Sequence, residues 1–253
     1  MDVFWTLPPV TRTITAAAVV VSALGYAQIA NLMHFIYIKD YVLTVKMLPQ
    51  VWRLATAFFI TKPKFGILMD PYFLYQYGSG LERESSRFSQ PGDFFTYTIF
   101  CGSIIVALAG HVLNGYTFLP ALSLAYAYTY AQDNPTRQVT FFIITFDSKY
   151  LPYALLFMTL VIDSPDLALS QATGLFAAHL YDFLTRIWPT FGGGRNYIVT
   201  PQIVKRWLGA TPGAQQARPY GTAQQGGGGG RVPDNAAGRT TGAQWGPGRR
   251  LGE

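Results

Sequence analysis

The stretch "QVTFFIITFDSKYLPYALLFMTLVI", residues 138–162, decides how often this chain crosses a membrane. Nine mostly apolar residues precede Asp147, and thirteen follow Lys149. An ordinary transmembrane helix needs about 20 residues. One helix through the whole stretch would bury Asp147 and Lys149 at the membrane centre, where charges are costly. We therefore predict two short helices, which must be buried among others or thin the lipid around them.

The composition of the whole chain indicates a membrane protein with a polar extension. Half of the 253 residues are hydrophobic and 13% are charged, against about 25% charged residues in an ordinary soluble domain. The single cysteine, Cys101, excludes an intrachain disulfide.

The net charge of +6 lies in the C-terminal part of the chain. From Ile187 onward there are eight Lys/Arg and two Asp/Glu. These basic residues form no cluster denser than a pair, which favours a solvated tail over a nucleic-acid partner.

The hydropathy pattern predicts six membrane spans with both chain ends on one side. The N-terminus lacks a cleaved signal peptide, and Arg12 weakly favours a cytosolic N-terminus. Charged but aromatic-rich residues form a long first loop, predicted to lie at the membrane interface as short amphipathic helices. Asn-Gly and Pro120 separate the next two spans. The first span, first loop, second and third spans and sixth span are predicted at residues 14–38, 39–93, 94–113, 116–130 and 167–188.

These segments define three regions. The fold class predicted for residues 1–190 is an all-α membrane domain, a bundle of six transmembrane helices. Residues 191–209 form a juxtamembrane cytosolic segment. Residues 210–253 are rich in glycine, proline and glutamine and cannot bury enough surface to fold, so a disordered cytosolic tail is predicted.

An ordered set of short motifs resembles the derlins, pseudoprotease members of the rhomboid superfamily. The set covers residues 4 to about 204 and reads "LPPVTR", "QVWRLATAFF", "ERESSRFSQPGDFF", "DNPTRQVTFF", "YLPY", "GLFAAHLYDFL" and "GGGRNYIVTP". The resemblance implies a rhomboid-like six-helix bundle.

Two motifs within this set are weak when taken alone. Trp52 and Arg53 form a Trp-Arg pair in the first loop, where an interfacial anchor is the plain alternative. Gly174 and Ala178, where the family usually has Gly-x-x-x-Gly, let two helices approach closely in the sixth span.

The resemblance raises the question of protease activity. Active rhomboids place a serine in a Gly-x-Ser motif at the head of span four and a histidine in span six. The predicted span four, "TRQVTFFIITF", has neither serine nor glycine, and Gln171 occupies the position of the histidine. Because a serine nucleophile needs a base, we predict no catalytic residue, and we identify no metal or cofactor site. An active protease that uses Ser123 or Ser148 is the alternative.

Polar residues within the spans suggest a water-filled groove. The candidates are Asn114, Gln171, His179 and Asp182, with His111 nearby. The alternative is that these groups pair with one another, and His179 is then a buried histidine that hydrogen-bonds within the bundle.

The chain ends with "WGPGRRLG", residues 245–252, which resembles the SHP box of derlins. The aromatic and leucine side chains suit pockets, the glycines allow close backbone approach, and the arginines favour an acidic surface. The resemblance implies that this box binds the AAA+ unfoldase valosin-containing protein. Its residues are Trp245, Gly246, Gly248, Arg249, Arg250, Leu251 and Gly252.

The resemblance implies a retrotranslocation factor of the endoplasmic reticulum (ER) membrane, with both termini cytosolic. Such a factor moves misfolded proteins to the cytosol for ER-associated degradation by thinning the bilayer and recruiting the unfoldase. Further implied partners are a membrane E3 ubiquitin ligase complex, the misfolded substrates, the lipid bilayer and other derlin copies. The alternatives are an active intramembrane serine protease and a scaffold that only recruits the unfoldase.

Overall fold

The computed structural model describes residues 7–42, 50–63, 66–90, 92–141, 144–192, 198 and 200–208. The predicted tail, residues 210–253, and its SHP box lie outside the described residues.

Six helices of at least twelve residues form a bundle in the described part of the chain. Several begin at a proline in the first turn, where the missing N–H costs nothing. The side-chain oxygen of Ser164 caps the last of them by accepting the Leu167 N–H at 3.3 Å. The helices are α1 Pro9–Tyr26, α2 Gly66–Glu84, α3 Asp93–Ile105, α4 Leu119–Asp133, α5 Leu151–Ile162 and α6 Pro165–Asp182.

Two of these helices continue beyond their α-helical part through a π-helical segment. Helix α3 extends through Val106–Val112, and helix α6 extends through Phe183–Ile187 and a last turn at Trp188–Phe191. A separate short helix, Gln202–Trp207, follows. The Lys205 ammonium donates to the Gln90 side chain at 2.6 Å, which ties this short helix to the start of α3.

Helix α4 is the centre of the bundle and is buried along nearly its whole length. It packs against α2, α5 and α6. The closest approach is to α6, because a Cβ atom added to Gly174 would lie 1.8 Å from the carbonyl oxygen of Ala121. Ala178, one turn later, is also buried. The small residues thus let two helix backbones touch, a common packing device in membranes.

The prediction of an interfacial first loop over residues 39–93 is wrong in its second half. Helix α2 runs through Gly66–Glu84, 19 residues and about 28 Å long. It packs on α1 and α4 and buries Leu74, Tyr77 and Leu81. The polar residues of α2 lower its hydropathy, so the sequence pattern did not mark it as a membrane helix. A helix that packs against neighbours does not need an apolar surface on every side.

The prediction of a short helix at residues 138–146 is also wrong, and the fold is therefore not purely α-helical. Strands β1 Gln138–Phe141 and β2 Ile144–Asp147 pair antiparallel. The segment is dominated by valine, threonine, isoleucine and phenylalanine, which favour strands. At the hairpin base, Lys149 pairs with Asp147 at 3.0 Å. This hydrogen bond raises the pKa of Lys149, and both side chains are exposed.

Helices occur at the remaining predicted spans, with shifted bounds; that they cross a membrane stays a prediction. By length and composition, two helices in the described ranges are long and apolar enough to cross a membrane, Pro9–Tyr26 and Asp93–Val112, and Ser148–Ile162 is a shorter apolar helix. Helix α2 replaces residues 138–146 in the set of six. The count of six spans therefore stays a prediction, now based on a different set of helices.

Replacing Gly174 with alanine tests the contact between α4 and α6. The added methyl would collide with the backbone of α4, and we expect overpacking to cost about 1–3 kcal/mol. The measurement is the thermal unfolding midpoint in nanodiscs. Gly102→Ala is the matched control, because its Cβ would lie 3.5 Å from the Phe58 ring, an ordinary contact. Equal midpoints for both variants would contradict the close approach.

A designed disulfide distinguishes the hairpin from a helix. Thr140 and Thr145 are cross-strand partners whose hydroxyls lie 3.1 Å apart. Paired strands hold such Cα atoms about 4.5–5.5 Å apart, within disulfide range, whereas five residues of helix rise about 7.5 Å, beyond it. We expect Thr140→Cys with Thr145→Cys to oxidise readily, as measured by protection from maleimide.

The control for this disulfide is Thr140→Cys with Phe146→Cys. Phe146 pairs with Val139 and its side chain points to the opposite face of the hairpin. We expect this pair to remain reduced; cross-linking of the control at the rate of the designed pair would refute the register.

Candidate functional site

A small polar cavity lies among α2, α4, α5 and α6. Its volume is about 50 Å³, enough for a few water molecules. Its lining is unusual for a membrane bundle because it includes three charged side chains. The polar residues are Lys62, Asp70, Ser123, Thr159, Asp163 and Gln171, and the apolar ones include Met69, Phe73, Phe141, Leu155, Met158 and Ile162.

Lys62 is the hub of the hydrogen bonds around this cavity. Its ammonium group donates to Thr159 Oγ1 at 3.0 Å and to Asp163 Oδ2 at 2.9 Å. Its backbone N–H donates to Asp70 Oδ2 at 2.9 Å. Lys62 is only 8% exposed, so its charge is nearly removed from water. One residue therefore connects the N-terminal turn of α2 with the C-terminal end of α5.

Gln171 completes the chain of hydrogen bonds. Its side-chain oxygen accepts from the Thr159 hydroxyl, and both residues are buried. Gln171 is the residue that the sequence comparison with active rhomboids placed at the histidine position. The structure places it in the cavity.

Ser123 lines the same cavity and is the serine of the fourth long helix. Because the hydropathy pattern placed this serine in span three, Ser123 was not compared with the span-four serine of active rhomboids and was named only in the alternative of an active protease. The Ser123 hydroxyl donates to the Pro120 carbonyl at 2.9 Å. No histidine lines the cavity in the part of the chain that the structure describes. Ser148, the other serine considered, is buried at the hairpin base and is not among the lining residues.

Asn114 lies apart from this cavity, which contradicts a shared groove. It is exposed in the connection between α3 and α4, with a left-handed backbone at φ 52°. Its side-chain oxygen accepts from the Lys39 ammonium at 2.8 Å. Nearby, His111 hydrogen-bonds to the Tyr37 hydroxyl at 3.2 Å. These contacts attach the first loop to the turn after α3.

His179 and Asp182 also lie outside the cavity, and they do not share one network. His179 is exposed rather than buried, and its Nδ1 lies 2.9 Å from the Tyr128 hydroxyl. Asp182 is buried and pairs with Arg87 at 2.7 Å and with Arg186 at 3.2 Å. Arg87 also pairs with Asp133. The single polar groove predicted from the sequence is therefore wrong: of its four residues, only Gln171 lines the cavity.

The Trp-Arg pair divides into one exposed and one buried residue. Arg53 is 4% exposed and donates to the carbonyl oxygens of Met33 at 2.6 Å and Ile36 at 2.8 Å. Trp52 is 54% exposed, and its ring N–H makes a long contact of 3.4 Å with the His34 carbonyl. Arg53 thus satisfies backbone carbonyls of the connection that follows α1, while Trp52 faces outward.

A larger cavity of about 530 Å³ lies between α1, the first loop and α3. Its lining is almost entirely apolar. The hydroxyls of Thr98 and Ser103 donate to the carbonyls of Phe94 and Ile99 in the preceding turn, so they offer little to a polar ligand. No group of three or more potential metal ligands occurs among the residues that the structure covers.

Comparisons with known proteins match almost the whole chain. The model of the Der1-like family matches residues 7–202. Derlin-1 of Mus musculus is 31% identical over 263 residues, covering 100% of this chain and 98% of the relative. Derlin-1 of Homo sapiens is 30% identical with the same coverage. Derlin-2 of Oryza sativa subsp. japonica is 28% identical over 215 residues, 79% of this chain and 82% of the relative. The chain therefore belongs to the Der1-like family.

Proposed function

We propose that this chain is a retrotranslocation factor of the ER membrane, which moves misfolded proteins to the cytosol. Family membership supports the broader role, a membrane protein of ER-associated degradation. The observation that carries the finer proposal is the small cavity with three charged side chains beside a helix too short to span an ordinary bilayer. Together these features lower the cost of bringing polar chain into the membrane.

Bilayer thinning is the first part of the mechanism. Helix α5 has 12 residues and helix α4 has 15, so they are about 18 and 22 Å long. The hydrocarbon core of a typical bilayer is about 30 Å thick. Helix α4 is enclosed by its neighbours, so the short helix that meets lipid is α5, which exposes Tyr153, Phe157 and Val161. Lipid next to α5 must thin, and a thinner core presents a lower barrier to polar groups. The proposed thinning therefore rests on α5, since residues 138–147 form a hairpin.

The orientation of the bundle follows from its charged ends. Arg87 joins the connection before α3 to the C-terminal ends of α4 and α6 through Asp133 and Asp182. By the positive-inside rule, we infer that this end is cytosolic, which places both termini in the cytosol. The polar cavity then lies near the lumenal end. Basic residues at the cytosolic end include Arg83, Arg87, Arg137, Arg186, Lys205 and Arg206.

We propose that the cavity is not a protease site. A serine nucleophile needs an adjacent base, and the Ser123 hydroxyl donates to a backbone carbonyl. Gln171, across the cavity, has no basic nitrogen and accepts from Thr159. The alternative, an active protease, predicts that purified protein cleaves a labelled transmembrane substrate and that Ser123→Ala abolishes the cleavage.

In this proposal, the tail recruits the unfoldase that pulls the substrate. Its SHP box, residues 245–252, recruits the AAA+ unfoldase valosin-containing protein. A membrane E3 ubiquitin ligase complex and further derlin copies complete the assembly. About 40 residues of sequence separate the box from the last described helix. A scaffold that only recruits the unfoldase is the second alternative.

Two substitutions in the box test recruitment. Trp245→Ala with Leu251→Ala removes both pocket-filling side chains, and we expect at least a tenfold loss of unfoldase co-purified with the full chain. Gln244→Ala, next to the box, is the matched control and should bind normally. Retained binding in the double variant would disprove this role of the box. Loss of substrate binding as well would favour the scaffold alternative, because the cavity would then contribute nothing on its own.

Arg53→Ala tests the first loop in the translocation step. Removing the guanidinium leaves two backbone carbonyls without their donor, so we expect local loosening of residues 31–42 and slower clearance of a misfolded lumenal reporter. The measurement is the reporter half-life in cells whose own derlins are deleted, with membrane insertion checked by glycosylation mapping.

Trp52→Ala should add a smaller delay in the double variant, because Trp52 is mostly exposed. Val51→Ala, 57% exposed in the same turn, is the neutral control. Normal reporter kinetics in Arg53→Ala with Trp52→Ala would count against the role of this motif in retrotranslocation.

A further inference from the structure

We propose that the polar cavity recognises a lysine or arginine side chain in a client's membrane segment, and that Lys62 occupies this site in the closed form. The inference rests on the proposed function, since it names the class of substrate that the cavity accepts. Four observations carry this inference: the charge balance of the cavity, the contacts by which Lys62 closes the cavity, the path into it between α2 and α5, and the depth of the cavity below the helix ends.

The cavity holds one carboxylate more than its own cation can neutralise. Lys62 is the cation, and it forms an ion pair with Asp163 at 2.9 Å. Asp70 is 8% exposed and accepts the backbone N–H of Lys62. Among the residues that the structure describes, which leave out Lys64, no basic group lies within 4 Å of the Asp70 carboxylate. Ionising a buried carboxylate that has no ion-pair partner is costly, so a second cation that enters the cavity stabilises the ionised Asp70.

The cluster is poorly explained as a stabilising device. Lys62 and Asp70 are buried, whereas the Asp163 side chain is 24% exposed. Removing an ammonium and a carboxylate from water costs much of what their attraction returns, so buried charges of this kind are weak evidence for stability. Ionisable groups at membrane depth are rare and generally mark functional sites. Lys62, Asp70 and Asp163 therefore call for a role beyond holding the bundle together.

Lys62 also closes the side of the bundle between α2 and α5. Helix α2 packs on α1 and α4, and α5 packs on α4 and α6. Lys62 bridges α2 and α5 through Asp70 and Thr159. On the hairpin side, the Phe141 ring stacks on Phe73 of α2 at 5.4 Å and also lines the cavity. A segment that enters between α2 and α5 must displace these contacts.

The residues along this path suit a variable client. Met69 and Met158 line the cavity, and methionine adapts its shape to different neighbours. Ile162, also in the lining, is 51% exposed and faces the surroundings of the bundle. A client helix that lies against these side chains can extend a long cationic side chain inward, where it competes with the Lys62 ammonium for Asp163 and pairs with Asp70.

The depth of the cavity restricts where the client's cation must be. Thr159 lies three residues before the end of α5, and Gln171 lies six residues after the start of α6. These offsets correspond to about 5 and 9 Å below the lumenal helix ends. The preferred client therefore has its lysine or arginine one to two helical turns inside its lumenal boundary. A glutamate there would face two carboxylates and is disfavoured.

The test uses the full-length protein in nanodiscs and synthetic leucine-alanine transmembrane peptides of 24 residues. The peptides carry one arginine, glutamine or glutamate five residues from the lumenal end, or one arginine at the centre. Binding is measured by energy transfer to a dye on an introduced cysteine at Val161, which is 65% exposed and does not line the cavity. We expect the arginine peptide to bind at least tenfold more tightly than the glutamine peptide, the glutamate peptide to bind most weakly, and the central arginine to bind like glutamine.

Substitutions of the charged residues in the cavity test whether these residues recognise the client's cation. Asp70→Asn with Asp163→Asn should remove the preference for arginine, so that arginine and glutamine peptides bind within twofold. Lys62→Met removes the internal competitor and should strengthen arginine binding at least fivefold. Lys149→Met is the matched control, an exposed lysine at the far end of α5, and should change nothing. The arginine peptide should also raise the unfolding midpoint of Lys62→Met more than that of the unmodified chain.

Three results would overturn the inference: equal binding of arginine and glutamine peptides, a preference that survives the loss of both carboxylates, or unchanged arginine affinity in Lys62→Met. If the carboxylate variant does not fold, Lys62→Met decides alone. The assay contains no unfoldase and measures no clearance. The two proposals fail separately. If the peptides bind selectively but the derlin-deleted cells clear the reporter normally without this chain, only the retrotranslocation role is refuted. If this chain restores clearance in those cells but binds the peptides without selectivity, only cation recognition is refuted.

Discussion

The contact between Gly174 and the Ala121 carbonyl fixes the geometry on which the site depends. A side chain at residue 174 would occupy the position of that oxygen, so the backbones of α6 and α4 meet without any intervening atoms. Gln171 lies one turn before Gly174, and Ser123 lies two residues after Ala121. The backbone contact therefore sets both of them at the same cavity. Helix α5 packs against α4 and α6 together, which brings Thr159 to Gln171. In a membrane, where apolar surface gains little from burial, such close backbone contact is a main source of helix association.

The sequence alone was enough to identify the family resemblance and to predict most of the helices. The predictions that failed did so for physical reasons. Hydropathy identifies a helix by its contact with lipid, so α2, which packs on both α1 and α4 and contains Asp70, resembled an interfacial loop. Hydropathy also does not distinguish a short strand from a short helix. The strand-favouring residues of 138–147 were visible in the sequence. They were outweighed by the expectation that an apolar run in a membrane protein is helical.

The site was predictable only in part, because its residues come from segments that the sequence assigned to different environments. Gln171 was identified through its spacing from Gly174. His179 and Asp182 follow Gln171 by eight and eleven residues, about 12 and 16 Å along the same helix, which is too far for one small cavity. Lys62, Asp70 and Asp163 were hidden in what read as polar connections. Their roles became visible only when folding placed the first loop beside the turn after α5.

The hairpin bears on where the proposed thinning of the membrane would occur. A two-stranded hairpin leaves backbone N–H and C=O groups unpaired along both outer edges, and lipid cannot satisfy them. The hairpin therefore requires water or protein along its edges, although Phe141 reaches Phe73 of α2. Between the hairpin base at Asp147 and the turn at Asp163, the chain has only the 12-residue helix α5 and the turn Ser148–Tyr150 before it. In the proposed mechanism, lipid thins beside this short helix, next to the charged cavity. The proposed thinning and the proposed entry between α2 and α5 then lie on the same flank, which gives an incoming cationic side chain a short apolar path to the carboxylates.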